Sequence, residues 1–107
     1  MAKYDLIDNP VREMSTNIKK AAALLACYSP SYEESEYCMR EVNFAYGQAK
    51  RPIIPVRIKN FKPGDELAFI IEGPKRFDFT TPDQISKNLD GLIKLIKEKY
   101  QAAMMYV

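Results

Sequence analysis

The first recurring apolar pattern in this 107-residue chain follows a short β-prone run, Tyr4-Asp5-Leu6-Ile7, that stops at Asp8-Asn9-Pro10. Asn9 is a good N-cap, and Pro10 suits the first helical position, where a missing N–H costs nothing. Val11, Met14 and Ile18 then return at helical spacing, which predicts a short amphipathic helix ending near Lys20. Ala21 to Tyr28 (AAALLACY) is continuously apolar and halts at Ser29-Pro30. That length predicts a strand covered on both faces, as in a parallel sheet, although the alanines also suit a buried helix.

Ser31-Tyr32-Glu33-Glu34 carries a capping-box pattern, and Ser35 is a second candidate cap. Beyond it, Cys38, Val42, Ala45 and Ala49 form a narrow stripe of small residues fit for close packing on a sheet. Gly47 stands where a left-handed helix terminator is usual. Pro52 to Ile58 (PIIPVRI) reads as the next strand, against the rule that a proline such as Pro55 belongs at a sheet edge. Asn60 to Pro74 reads as a loop with one apolar patch, Leu67 to Ile71, and Arg76 to Phe79 (RFDF) as a short last strand. Thr81, Pro82, Asp83 and Gln84 supply cap, first-turn proline, first-turn acid and capping-box glutamine in order, the clearest helix start in the chain. Ile85, Leu89, Leu92, Ile93 and Ile96 are the expected buried stripe of that helix, with lysines opposite. Ala102 to Val107 reads either as its continuation or as a β-prone stub. Strand and helix alternate throughout, the pattern of an open α/β sheet in one domain over residues 1–107.

Composition narrows the chemistry. There is no histidine, which removes Ser-His-Asp and Cys-His catalysis, histidine zinc sites and histidine pH switching together. No metal site is expected. The net charge of +2 is spread over separate pairs (Lys19 and Lys20, Lys50 and Arg51, Lys75 and Arg76), not the clustered basic face that nucleic-acid binding wants. Cys27 and Cys38 both read as buried small hydrophobes. The polar opening Met1-Ala2-Lys3-Tyr4-Asp5 and the lack of any long apolar run lead to the expectation of a cytoplasmic protein without a signal peptide or membrane span.

One set of residues resembles a known family. Ser29-Pro30 after an apolar strand, Tyr37-Cys38-Met39-Arg40-Glu41 on the following helix and Ile54-Pro55 in the next strand are similar to the Toll/interleukin receptor (TIR) domain family. There, Ser-Pro ends a strand, a helix carries aromatic-Cys-x-x-Glu, and Ile-Pro lies in the strand that follows. Tyr4 to Asn9 resembles the family's second strand and the start of its BB loop, while Lys62-Pro63, Phe69 to Gly73 and Phe77-Asp78-Phe79 resemble its late segments. The resemblance implies a flavodoxin-like α/β fold, an open and mainly parallel sheet with flanking helices. A full family domain opens with a further strand and helix, so a truncated TIR-like fold without that βα unit is expected here.

Many TIR domains cleave NAD+ at the nicotinamide–ribose bond, and the resemblance implies that activity with NAD+ as substrate and no separate cofactor. Nicotinamide leaves a cationic ring as a neutral molecule and needs no general acid. The barrier lies in an oxocarbenium-like transition state that one carboxylate can stabilise. By the family motif Glu41 is that carboxylate. Tyr37, four residues earlier, is placed to stack on the ligand, and Ser29 and Ser31 fall at the carboxyl end of a parallel strand, the usual nucleotide crevice. Asp8, Asn9 and Pro10 match the loop the family uses for domain–domain contacts, although by themselves they are simply a helix cap. A glutamate one turn into a helix is, on spacing alone, ordinarily a solvated charge. The alternative function is an assembly module without chemistry, pairing with itself or with other TIR domains through an exposed sheet edge. Residues Ala102 to Val107 offer one strand to fill such a gap, within the chain or swapped between chains.

Overall fold

Pro10 opens the first helix of the computed structural model, which describes residues 10–73 and 75–104. The expected Tyr4–Ile7 strand, with Asp8 and Asn9, lies outside those residues. Helix α1 (Pro10–Lys20) turns Met14 and Ile18 inward, as their spacing dictates. There follow β1 (Leu24–Tyr28), α2 (Pro30–Glu34), α3 (Glu36–Gly47), β2 (Ile53–Arg57), α4 (Asp65–Ile71), β3 (Phe77–Asp78) and α5 (Pro82–Met104). The strands form one parallel sheet in the order β1-β2-β3. Leu24 stands opposite Ile53 and Tyr28 opposite Arg57, while Val56 stands opposite Phe77 and Arg57 opposite Asp78. The expected α/β architecture, with helices flanking an open parallel sheet, is present.

The two helices after β1 are divided by serines. Ser29 Oγ accepts from the Tyr32 amide at 3.2 Å and Ser35 Oγ from the Cys38 amide at 3.1 Å. Ser29 therefore caps α2, and Ser31, expected to do so, lies inside the first turn. Proline at the next position favours this choice, because Pro30 fits N1 without needing an acceptor. Gly47 does not terminate α3 in the left-handed region. No glycine among the described residues has positive φ; Lys50 does, at 51°.

Pro55 sits in the central strand and is buried. Alternation along the strand explains its tolerance. Arg57 O accepts from Phe79 N on the β3 side, so Pro55, two residues earlier, also presents its backbone to β3. β3 pairs only with Val56 and Arg57. The missing N–H thus falls where the ladder has not begun.

Asn60 to Pro74 is not wholly a loop: Asp65–Ile71 is helical and buries Leu67, Ile70 and Ile71. Those positions do stand at i, i+3 and i+4, but the entry residue Gly64 makes no side-chain cap. Its amide is satisfied instead by Glu33 Oε2 of α2 at 2.6 Å, and a Cβ at Gly64 would lie 2.9 Å from the same oxygen. Glycine permits that close approach.

The core is in two parts. On one face of the sheet, Ala26, Tyr28 and Ile53 pack with Met14, Ile18, Val42, Ala45, Leu67, Ile70 and Ile71 from α1, α3 and α4. On the other, Ile54, Val56, Phe77 and Leu92 form a smaller cluster under α5. Here the expectation of a strand covered on both faces fails, for Leu25 is 42% exposed and Cys27 is exposed too. Cys38 is half-buried. The stripe expected to be buried on α5 is split: Leu92 is covered, whereas Ile85, Leu89, Ile93 and Ile96 are each about 40% exposed. α5 packs chiefly on β3, so the half of its apolar surface nearest β1 meets little protein among the described residues. The helix does begin as expected, with Gln84 N donating to Thr81 Oγ1 at 3.2 Å and Gln84 Oε1 accepting from Thr80 N at 3.1 Å. It continues through Ala102 to Met104 rather than turning into a strand there.

Candidate functional site

The cap at Ser35 sets the phase of α3. With Val42 and Ala45 fully buried against the sheet, the position just before Val42 falls at the shoulder of the helix, and Glu41 is half-buried there. Loss of hydration pushes its carboxyl above the ordinary glutamate range. Tyr37 lies one turn earlier but is 52% exposed. Ser29 is buried, and its hydroxyl oxygen is occupied by the α2 cap. Ser31 is exposed. None of the four clearest cavities among the described residues is lined by Glu41, Tyr37, Ser29 or Ser31.

The charge of Glu41 acts on Tyr32, on α2. Its hydroxyl is buried and finds no hydrogen-bond partner among the described residues. Burial raises its pKa well above the ordinary phenol value, and the charges of Glu41, Cys38 and Cys27 add to the effect. A buried orphan hydroxyl costs about 1–3 kcal/mol, and a carboxylate close by is one natural acceptor. Sequence reasoning passed over Tyr32 in favour of Tyr37. Nothing in the spacing could have corrected that, because Tyr32 and Glu41 stand on different helices, divided by the break at Ser35.

At the far side of the strand ends, Arg57 Nε donates to Asp78 Oδ1 at 2.8 Å and Arg76 Nε approaches the same oxygen at 3.3 Å. Asn43 Nδ2 joins α3 to α4 through Glu66 Oε2 at 2.8 Å. No group of histidine, cysteine, aspartate and glutamate fit for a metal ion occurs among the described residues. Nor is any described helix long and apolar enough to cross a membrane.

The family model described as TIR domain matches residues 3–93. No curated protein and no solved structure matches the chain. The match runs from the segment before α1 into α5 and spans every described strand. Together with the parallel α/β sheet, it shows that the chain belongs to the TIR domain family.

Proposed function

We propose that this chain works as a signalling assembly module that associates with TIR domains, its own copies included. The observation that carries the reading is the uncovered apolar strip shared by β1 and α5. Ile85, Leu89, Ile93, Ile96 and Tyr100 follow one another at helical spacing and are 39–58% exposed, and Leu25 of β1 is 42% exposed. Leu25, Ile96 and Tyr100 line one hollow of about 300 Å³ with Ala22, Ala23 and Ile54. Scattered apolar residues on a surface are ordinary, whereas a contiguous strip favours association. The outer edge of β1 has no strand beside it among the described residues, and unpaired backbone there adds directional affinity. A domain of the same family is the partner whose parallel-sheet architecture can extend such an edge.

Sedimentation velocity over a wide concentration range tests the reading. Wild-type protein is expected to form concentration-dependent oligomers, and Leu25→Lys combined with Ile96→Lys to stay monomeric with an unchanged circular dichroism spectrum. A wild type that remains monomeric at about millimolar concentration, alone and mixed with another TIR domain, overturns it.

A second reading has its own observation, the partial burial of the Glu41 carboxylate. In the NAD+ hydrolase reading, the Glu41 carboxylate holds the ribose hydroxyls and offsets positive charge at the reacting carbon as nicotinamide departs. A partly dehydrated carboxylate exerts a stronger field than a solvated one. Tyr37, Ser29 and Ser31 would border the ligand, and no metal or further cofactor is required. NAD+ consumption at high protein concentration, lost in Glu41→Ala with the fold intact, is the expected result. Absence of turnover by the wild type, or turnover that survives the substitution, removes this reading and leaves the assembly proposal standing.

A further inference from the structure

Away from Glu41 and from the open strip on α5, the structure encloses a crevice of about 540 Å³. It lies at the carboxyl ends of the strands, since Tyr28, Arg57 and Asp78 are the last residues of β1, β2 and β3. Parallel sheets present their ligand crevices at this end. Its volume is within the range of small-molecule pockets, roughly 300–1,000 Å³. One wall is apolar, made by Ala68 and Ile71 of α4 and the ring of Tyr28, itself 1% exposed. The rest of the lining carries Lys62, Arg76, Asp78 and Glu72.

The charges are unbalanced in one direction. Asp78 Oδ1 takes Nε from both Arg57 and Arg76, and Arg57 spends a further N–H on Asn60 Oδ1 at 3.2 Å. One carboxylate thus serves two guanidiniums. Lys62 forms no ion pair among the described residues, and Glu72 is the one other carboxylate lining the crevice. Counting Arg57 behind Asp78, three cations face two anions. Arg76 uses only Nε on Asp78, and its guanidinium is near enough to the Tyr28 phenol to counter part of the rise that burial imposes there. Arg76 therefore stands between the charged lining and the Tyr28 phenol, which it also hydrogen-bonds.

We propose that this crevice binds a small organic monoanion, a carboxylate borne on a flat apolar body, with the carboxylate on Arg76 and Lys62 and the body between Tyr28, Ala68 and Ile71. A guanidinium fork matches a carboxylate's two oxygens. One negative charge balances the lining, whereas a dianion would place excess charge beside Glu72 and Asp78. The neutral part of the ligand displaces water from the crevice beside the partly exposed Ala68.

Benzoate, benzyl alcohol and phenyl phosphate are suitable probes, read by amide chemical shifts in the intact chain. Benzoate is expected to give saturable shifts at Lys62, Ala68 and Arg76. Benzyl alcohol is expected to bind roughly tenfold more weakly, and phenyl phosphate no more tightly than benzoate. Arg76→Gln is expected to weaken benzoate about tenfold. Ala68→Leu leaves every charge in place and fills the space, so it is expected to abolish binding. Arg76 is on the surface, so its variant keeps the test decisive even where Ala68→Leu disturbs α4. Leu25→Lys, on the other sheet face, is expected to leave benzoate affinity unchanged, which separates this site from the assembly reading. The proposal is overturned by the absence of saturable shifts at millimolar benzoate, by binding that survives Ala68→Leu in a folded protein, or by tighter binding of phenyl phosphate.

Discussion

The two faces of the sheet are built from similar residues and finished to different degrees. On one, Ala26 and Tyr28 lie under α1, α3 and α4 and are 0% and 1% exposed; on the other, the neighbouring Leu25 is 42% exposed and Cys27 is open to solvent. Successive residues of one strand thus differ in burial because they point to opposite faces. The first face holds its apolar groups by interdigitation of short helices, each fixed by a local device: the serine caps, the Glu33–Gly64 link and the Asn43–Glu66 bond. Among the described residues, the second face depends on one long helix whose line of contact, Leu92 with Leu95, meets β2 and β3. What differs is the number of elements available to cover each face, and the uncovered remainder is where association with another domain gains the most apolar burial.

Substitutions can break this comparison. The largest effect is expected for Leu67→Ala, which empties a fully buried site on the closed face and should cost about 2–5 kcal/mol in urea unfolding. Leu25→Ala on the open face should cost less than about 1 kcal/mol, since little transfer from water is undone. Equal losses at the two positions would show that the second face is covered in solution. The caps give an intermediate test. Ser35→Ala and Thr81→Ala each remove one side-chain cap, worth about 1 kcal/mol locally. In Ser35→Ala that loss should appear in global unfolding. In Thr81→Ala it should appear mainly as faster amide exchange in the first turn of α5, because a helix with few tertiary anchors opens on its own.

The smallest effect concerns Glu41. Burial raises its folded-state pKa above the unfolded value, so between the two values the folded protein holds more proton than the unfolded chain. Stability therefore falls as pH climbs from the ordinary glutamate range through the raised value, and is level above it. Glu41→Gln should remove that slope, making the variant increasingly the more stable of the pair across the window, as urea midpoints between about pH 4 and pH 7 would show. An unchanged slope would mean that Glu41 is fully hydrated.

Much of the architecture was legible because it rests on local signals. The helical spacing of Met14 and Ile18, the runs AAALLACY and PIIPVRI and the Thr81-Pro82-Asp83-Gln84 start all act over a few residues, and each produced the expected element, the strands being shorter, Leu24–Tyr28 and Ile53–Arg57. The α4 helix was missed because its cap comes from Glu33, far away in the chain. Ser29 takes the cap in place of Ser31 because Pro30 fits the first helical position beside it. The family motif around Glu41 was readable, but the burial of that carboxylate was not, since it depends on how α2 and α3 meet.

The order of apolar and polar residues along the chain determined most of the helices and strands, α4 excepted, and the motif residues determined the family. Tertiary structure alone decided that Leu25 and the Ile96 line of α5 remain exposed, that the Tyr32 hydroxyl is buried while Tyr37 is open, and that Lys62 and Arg76 border one crevice. The reason is physical. Periodicity states that a side chain belongs to an apolar face, but whether that face is covered depends on elements brought together from distant parts of the chain, and the charges that end up around a cavity are set by the same packing.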